Sequence, residues 1–224
     1  MINALRTGEI QSFIISLLLS LPIVLLALSV HETAHGYVAY KLGDPTAKNL
    51  GRLTLNPIKH IDPFGFICML LCGYGWARPV PVNTRYFKKP KRDMALTGLA
   101  GPVSNLILAL IFALLIKLEF IVFELFPPTT SLILNVYSIL ASFLTIGINL
   151  NITLAVFNLI PCPPFDGSRI LLVFLPTNLY FKIMKYEQYI YIALMIALIF
   201  GLLDMPIAFV SGLFKNLIFG VLGL

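Results

Sequence analysis

Long apolar runs separated by short polar segments dominate this chain. Three of these runs lack any charged side chain: residues 10–30, 94–116 and 132–165. A helix that spans a membrane needs about 20 mostly apolar residues, so each run predicts one spanning helix. The three predicted spans cover residues 11–39, 94–125 and 132–160.

The apolar signal weakens after residue 166. Residues 188–203 and 205–223 are each apolar enough for a further span, although Lys215 interrupts the second. Residues 170–181 are apolar but short, and the pattern leaves open whether they cross the membrane. No internal repeat or low-complexity linker marks a second folded unit. The prediction is an all-α polytopic membrane protein with about five to six transmembrane helices, folded as a single domain over residues 1–224.

The segment between the first two spans favours a different structure. Residues 61–76 are apolar enough to enter a membrane, but they include Asp62 and Pro63 and are too short to span it. Residues 48–56 and 79–83 favour extended backbone. We therefore expect a short membrane-associated β-strand or re-entrant region here, with an edge on which an unwound substrate lies as an added strand.

Composition and charge agree with the membrane class. Hydrophobic residues make up 58% of the chain and charged residues 12%, against about 25% in soluble domains. The net charge of +6 lies mostly between the apolar runs, so membrane topology explains it and no nucleic-acid partner is expected. Residues 78–93 hold six basic side chains and one acid, whereas residues 126–131 hold no basic side chain. The positive-inside rule therefore predicts residues 78–93 in the cytoplasm and residues 126–131 outside.

The sequence His31-Glu32-Thr33-Ala34-His35 lies at the end of the first predicted span. Residues four apart share one face of a helix, so both imidazoles can reach the same metal ion. Glu32 lies beside that ion, where it can act as a general base on water. In a soluble protein this pattern is typical of a zinc peptidase. Its continuity with an apolar helix indicates a zinc peptidase that works inside the bilayer.

Two histidines hold zinc weakly, because a catalytic site takes a third protein ligand and keeps one position open. Asp166 is the first candidate, since the preceding prolines end the third span and let the backbone turn inward. The same carboxylate is as well suited to capping the helix that follows. His60 is the rival ligand, although a histidine in a polar turn more often makes a local hydrogen bond.

Two asparagines are further candidates for the site. Asn158 would face the same polar pocket as Asp166 if the chain folds back, and its amide could hold a substrate carbonyl. Packing against a neighbouring helix is the alternative role for this residue. Asn105, in the small-residue stretch Gly101-Pro102-Val103-Ser104-Asn105, is better explained by helix packing than by catalysis.

Together these motifs resemble the site-2 protease family of intramembrane zinc metalloproteases. The similarity covers most of residues 11–170, and beyond the histidine motif it includes residues 43–47, 51–57, 100–105 and 158–167. It looks like the compact prokaryotic branch of the family, without PDZ or CBS domains. The resemblance implies that His31, His35 and Asp166 bind Zn²⁺, that Glu32 activates water and that Asn158 helps to hold the substrate.

The resemblance also implies the partners and the location. It implies transmembrane protein substrates, cut within or next to their membrane segments near the cytoplasmic face. It implies a multi-pass protein of the prokaryotic plasma membrane, in contact with the lipid bilayer. The sequence indicates no oligomeric state.

Two other functions fit parts of the pattern. A membrane-anchored zinc metalloprotease that acts on soluble or unfolded substrates normally takes a glutamate from a later polar helix as its third ligand. Here the later acids lie in or beside apolar runs: Glu119, Glu124, Glu187 and Asp204. A non-enzymatic small membrane transporter would also line a path with polar residues, and the zinc content of the purified protein separates it from both proteases.

Overall fold

The fold is known from a computed structural model that describes residues 10–72 and 77–223. Within those residues the chain forms nine α-helices: α1 (Ile10–Lys41), α2 (Thr46–Asn49), α3 (Pro63–Cys72), α4 (Pro90–Leu125), α5 (Ser131–Asn158), α6 (Gly167–Phe174), α7 (Thr177–Met184), α8 (Glu187–Ile199) and α9 (Asp204–Leu222). Short 3₁₀ turns lie at Pro57–Lys59 and Thr84–Tyr86.

Four helices of the described chain, α1, α4, α5 and α9, are long and apolar enough to cross a membrane. They include the first two uncharged runs, residues 132–158 of the third run, and residues 205–222. The expectation of five to six transmembrane helices is therefore corrected to four. Helix α8, which covers most of residues 188–203, has 13 residues and is about 20 Å long, whereas a span needs about 20 residues. Helices α6 and α7, which cover residues 170–181, have 8 residues each.

The expected β-strand or re-entrant region is also corrected. The described residues contain no β-strand, and the only strand-like pairing among them is a single antiparallel bridge between Ile61 and Ala77. The apolar residues 63–72 form the short helix α3, and residues 73–76 lie outside the described part of the chain. Residues 79–83 cannot extend a ladder, because two of them are prolines and the N–H groups of Val80 and Asn83 bond to carboxylates.

Helix α4 is the centre of the bundle, because it packs against α1, α5 and α9. The buried core between these helices consists of Ile23, Ala109, Phe112, Ala113, Leu144, Ile148, Ile152 and Val156. Large apolar side chains such as Leu18, Leu118 and Leu217 point outward and are more than half exposed. Apolar side chains on both the inner and the outer face are what a helix in lipid requires. Polar side chains buried between α1, α4 and α5 are therefore the exception.

Candidate metal centre

Three potential ligand atoms converge between α1 and the start of α6. The Nε2 atoms of His31 and His35 lie 3.0 Å apart, and each lies 3.1 Å from Oδ2 of Asp166. All three side chains are buried. Two nitrogens and one carboxylate oxygen form a donor set that suits Zn²⁺, and separations near 3 Å let all three reach one ion at bond lengths of about 2.0–2.2 Å. In the described chain this is the one cluster of three such residues able to hold a metal ion.

The side chain of Asp166 does not cap helix α6, which was the alternative role for this residue. Asp166 occupies the N-cap position of α6, but its carboxylate accepts no hydrogen bond from the helix backbone. One oxygen, Oδ2, faces the two histidines, and the other lies 3.8 Å from Nη1 of Arg169. A carboxylate that binds a metal ion does so in its ionised form.

Buried acceptors orient both imidazoles. Nδ1 of His35 lies 2.7 Å from the carbonyl oxygen of Thr97, which can only accept a hydrogen bond, so Nδ1 carries the proton. Nδ1 of His31 likewise donates to Oδ1 of Asn105 at 2.6 Å. With the proton on Nδ1, the lone pair of each Nε2 points at the shared position. A partner on the far nitrogen that fixes tautomer and ring orientation is the usual support of a metal-binding histidine.

The acceptor for His31 belongs to a longer polar chain through the bundle. The amide nitrogen of Asn105 donates to Oδ1 of Asn151 at 3.0 Å, and Asn151 donates to the carbonyl of Gly147 at 2.9 Å. These bonds determine which atom of Asn105 faces His31. From the sequence, Asn105 was explained by helix packing, and Asn151 and Thr97 were not among the candidate residues. The sequence does offer one signal for Asn151: it is an amide inside an uncharged apolar run. Placing a polar side chain in a membrane costs free energy unless the side chain has a hydrogen-bond partner.

Gly101 of α4 lies against the two imidazoles. A Cβ atom at this position would lie 2.4 Å from Nε2 of His35 and 2.5 Å from Nε2 of His31. Only a glycine lets the α4 backbone come this close to the ligand atoms. The small-residue stretch in α4 therefore makes room for the metal centre.

Glu32 lies on the same helix as the histidines and is buried beside them. Its Oε2 accepts a hydrogen bond from the backbone N–H of Val80 at 2.8 Å. A backbone donor cannot rotate away, so this bond restricts the position of the carboxylate. The residue that holds Glu32 thus comes from the segment before α4, far away in sequence.

The segment around Val80 is itself held by buried polar groups. Asp44 accepts a hydrogen bond from the N–H of Asn83 at 2.6 Å, and Arg52 donates to the carbonyl of Arg78 at 2.6 Å. The N–H of Arg78 donates to the carbonyl of His60 at 2.8 Å. Asp44 and Arg52 are both buried. The motifs at residues 43–47 and 51–57 therefore position the backbone that contacts Glu32.

His60, the rival ligand, does not join the cluster of ligand atoms. Its side chain is buried, and its Nε2 lies 2.7 Å from the carbonyl of Thr54, to which it donates. This local bond is the alternative that the sequence analysis favoured for a histidine in a polar turn. Among the described residues, Asp166 alone adds a third potential ligand atom to those of the two histidines.

The metal-ligand cluster and Glu32 open onto one cavity of about 910 Å³. Asn158 stands on its wall, half-buried, and its amide nitrogen donates to the carbonyl of Leu154 in its own helix at 2.9 Å. Much of the remaining wall is apolar and comes from α5 and α8, with Leu150, Leu154 and Leu194 among its residues. A chain entering this cavity therefore meets apolar helix faces and a small polar centre.

Comparisons with known proteins agree with this chemistry. The family model of peptidase family M50 matches residues 19–202. The protein named "Putative zinc metalloprotease YwhC" from Bacillus subtilis is 47% identical over 174 residues, which cover 77% of this chain and 76% of that protein. The protein named "Putative zinc metalloprotease Rip2" from Mycolicibacterium smegmatis is 28% identical over 149 residues, 64% of this chain and 52% of that protein.

A further relative is the protein named "Putative zinc metalloprotease MJ0611" from Methanocaldococcus jannaschii. It is 32% identical over 107 residues, 48% of each chain. No solved structure matches. The family match covers well over half of the chain, and the relatives' names agree with zinc as the metal that the three ligands suit. The resemblance seen in the sequence is thereby confirmed, and this chain belongs to peptidase family M50, the site-2 protease family of zinc metalloproteases.

Proposed function

We propose that this protein is an intramembrane zinc endopeptidase that hydrolyses peptide bonds within or next to transmembrane segments, near the cytoplasmic face. The observation that carries the proposal is the position of the ligand cluster. His31 and His35 belong to a helix long and apolar enough to span a membrane, and they face a cavity walled by a second such helix, α5. A substrate that reaches them must pass beside membrane helices.

In this proposal His31, His35 and Asp166 hold Zn²⁺. Two features suit these residues to the ion. The hydrogen bonds from Nδ1 of each histidine leave the Nε2 lone pairs directed at one position, and an ionised Asp166 carboxylate faces the same position. Bound zinc supplies a Lewis acid that polarises the scissile carbonyl and makes water a better nucleophile. The three ligands leave one side of the cluster open toward the cavity, where a substrate can lie.

Glu32 is the proposed general base. Its carboxylate lies beside the ligand cluster, takes a proton from the attacking water and passes it to the nitrogen of the leaving peptide. The bond from the N–H of Val80 to Oε2 restrains the carboxylate in this place. Asn158, on the cavity wall, is the proposed group that holds the substrate. Its amide can donate to a substrate carbonyl once the chain is extended.

A helical substrate must unwind before its carbonyl can be attacked, because its backbone groups are bonded to one another. Helix-breaking residues near the scissile bond should therefore favour cleavage. Residues 78–93 and the ligands of the metal centre lie at the same end of the bundle, since α4 runs from Pro90 past Thr97 and Gly101. With residues 78–93 in the cytoplasm, the scissile bond lies near the cytoplasmic face of the cell membrane.

The test is cleavage in proteoliposomes and in detergent, with Glu32→Gln as the inactive control. One substrate carries Gly, Asn or Pro near the cytoplasmic end of its transmembrane segment, and a matched substrate carries Leu there. We expect the first to be cut faster and casein to be cut poorly. Casein turned over as fast as the best membrane substrate, with no effect of helix-breaking residues, would instead indicate a membrane-anchored protease for soluble or unfolded proteins. Zinc-free protein without peptidase activity would indicate a transporter.

A further inference from the structure

Lys215 is a cationic side chain in the middle of a candidate membrane helix. It lies in α9, eleven residues after Asp204 and seven before Leu222. Its ammonium lies 5.5 Å from the ring centre of Phe219, and no ion pair in the described chain includes it. A lysine at the centre of a bilayer costs about 2.5–3.5 kcal/mol on insertion scales, so such residues usually mark a functional site.

A cavity of about 180 Å³ adjoins Lys215 between α9 and α5. Its polar wall consists of Asn149, Thr153, Ser211 and Lys215. The hydroxyl oxygen of Ser211 is buried and has no hydrogen-bond partner among the described residues. A buried hydroxyl without a partner carries a desolvation cost that a ligand in the cavity would remove. The volume exceeds that of a few water molecules, at about 30 Å³ each, and is sufficient for a carboxylate side chain.

The groups in this wall are donors suited to an anion. The ammonium of Lys215 provides the positive charge, the amide of Asn149 provides N–H groups, and the hydroxyls of Ser211 and Thr153 can each donate. A carboxylate accepts several such hydrogen bonds, and in a low-dielectric setting a paired charge is much less costly than a lone one.

The small cavity adjoins the larger cavity at the metal-ligand cluster (the catalytic cavity), because two residues belong to both walls. Asn149 and Thr153 line both of them. A segment that lies along α5 in the catalytic cavity therefore passes Asn149 and Thr153, which stand between it and Lys215. An acidic side chain that projects between these two residues would approach the ammonium of Lys215.

We propose that Lys215, with Asn149, Thr153 and Ser211, binds a carboxylate side chain of the transmembrane segment that is being cleaved. This inference rests on the proposed function and adds a specificity determinant to it. Substrates with an Asp or Glu inside the membrane segment are preferred over substrates with the matching amide.

The register along α5 places this carboxylate relative to the scissile bond. Asn149 precedes Asn158 by nine residues, which is a helical rise of roughly 13 Å. A helical substrate covers the same distance in about nine residues. The preferred acid therefore lies about two to three helical turns from the cut, on the side toward the Ser131 end of α5.

The experiment measures kcat/KM in proteoliposomes for a scanned set of substrates. Each carries one Glu at a position 5 to 13 residues from the cut, and a matched substrate carries Gln there. We expect Glu to be preferred at least about tenfold at one or two adjacent positions, since truncating one partner of a buried charge pair is costly. Lys215→Met should remove this preference, so that kcat/KM of the Glu substrate equals that of its matched Gln substrate, with zinc content unchanged.

Reversing the charge at Lys215 is the decisive comparison. Lys215→Glu should lower cleavage of the Glu substrate further and raise cleavage of a Lys substrate at the same position.

Equal rates for Glu and Gln substrates with the wild type, at every position, would overturn the inference while the proposed function stands. No cleavage of any membrane substrate would contradict the proposed function itself. An effect of Lys215→Met that depends on anionic lipid, and not on the substrate's charge, would assign the site to a lipid and overturn the inference.

Discussion

His31 donates a hydrogen bond from Nδ1 to Oδ1 of Asn105 at 2.6 Å, and both side chains are buried between α1 and α4. Asn105 thereby decides which nitrogen of His31 is free to bind metal. We predict that Asn105→Leu, which keeps the size but removes the acceptor, weakens zinc binding about 10- to 100-fold. Competition against a chelator of known affinity, in detergent, measures this change.

Ser104→Ala is the matched control for Asn105→Leu. Ser104 is the neighbouring residue on α4, and its hydroxyl donates only to the carbonyl of Gly101 in its own helix. Its removal should leave zinc affinity unchanged within about twofold. Equal zinc affinity in Asn105→Leu and Ser104→Ala, with both proteins folded by thermal melting, would contradict the role given to Asn105.

The long helices were predictable because each needs only local information. An uncharged run of sufficient length predicts a span, and α1, α4 and α5 follow the runs closely. The number of spans was overestimated because residues 188–203 are apolar, yet the helix there ends at Ile199. Hydropathy indicates that a segment avoids water. It does not distinguish a spanning helix from a short one that closes a cavity wall.

The metal-ligand cluster was predictable only in part. The spacing of His31 and His35 is a local signal, because one helical turn brings them together. Asp166 needed the resemblance as well, since its carboxylate is equally suited to capping a helix. The groups that support the cluster, Thr97 and Asn151, have no motif of their own. They depend on how α4 and α5 pack, which a single sequence does not reveal.

The roles of Glu32 and Asp166 should separate by mutation. Glu32→Gln removes the proposed base but no ligand, so we expect near-stoichiometric zinc and no peptide cleavage. Asp166→Asn replaces a carboxylate with a neutral amide, a far weaker zinc ligand, so we expect most of the zinc to be lost. Elemental analysis of the two purified proteins, with the wild type alongside, decides the matter. Full zinc occupancy in Asp166→Asn would remove this residue from the ligand set.

Gly101→Ala tests the close approach of α4 to the ligands. The new methyl group would lie about 2.4–2.5 Å from atoms of His35 and His31, far inside contact distance, so the imidazoles must move. We expect loss of zinc and of activity. Gly220→Ala in α9 is the matched control, because a Cβ atom there meets no atom of the described residues within 4 Å. Zinc bound normally by Gly101→Ala would show that the ligands tolerate displacement.

The positive-inside distribution makes a prediction about topology. Cysteine labelling, in a background from which the native cysteines are removed, should find a cysteine at Lys88 accessible from the cytoplasm and one at Thr129 accessible from outside. The 36-residue helix α4 runs between these two positions and is long enough to separate them. Labelling of both from the same side would contradict the assigned orientation and, with it, the cytoplasmic placement of the metal centre.

The hydrogen bond from Val80 to Glu32 can be removed without touching either carboxylate oxygen. Val80→Pro deletes the N–H that lies 2.8 Å from Oε2, in a segment whose neighbours at 79 and 81 are already prolines. We expect kcat to fall about 10- to 100-fold with zinc content and KM little changed, because a displaced base acts on the reaction and not on substrate binding.

Val82→Pro is the control for this substitution. It adds a proline to the same segment, two residues away, and leaves the donor to Glu32 in place. If its kcat falls as far as that of Val80→Pro, the loss comes from the altered backbone and not from the missing hydrogen bond. A large drop for Val80→Pro alone would mean that residues 77–83, held by Asp44 and Arg52, position the base for catalysis. Substitution of Asp44 by Ala should then lower kcat in the same way, with zinc retained, because it releases the N–H of Asn83 at the far end of that segment.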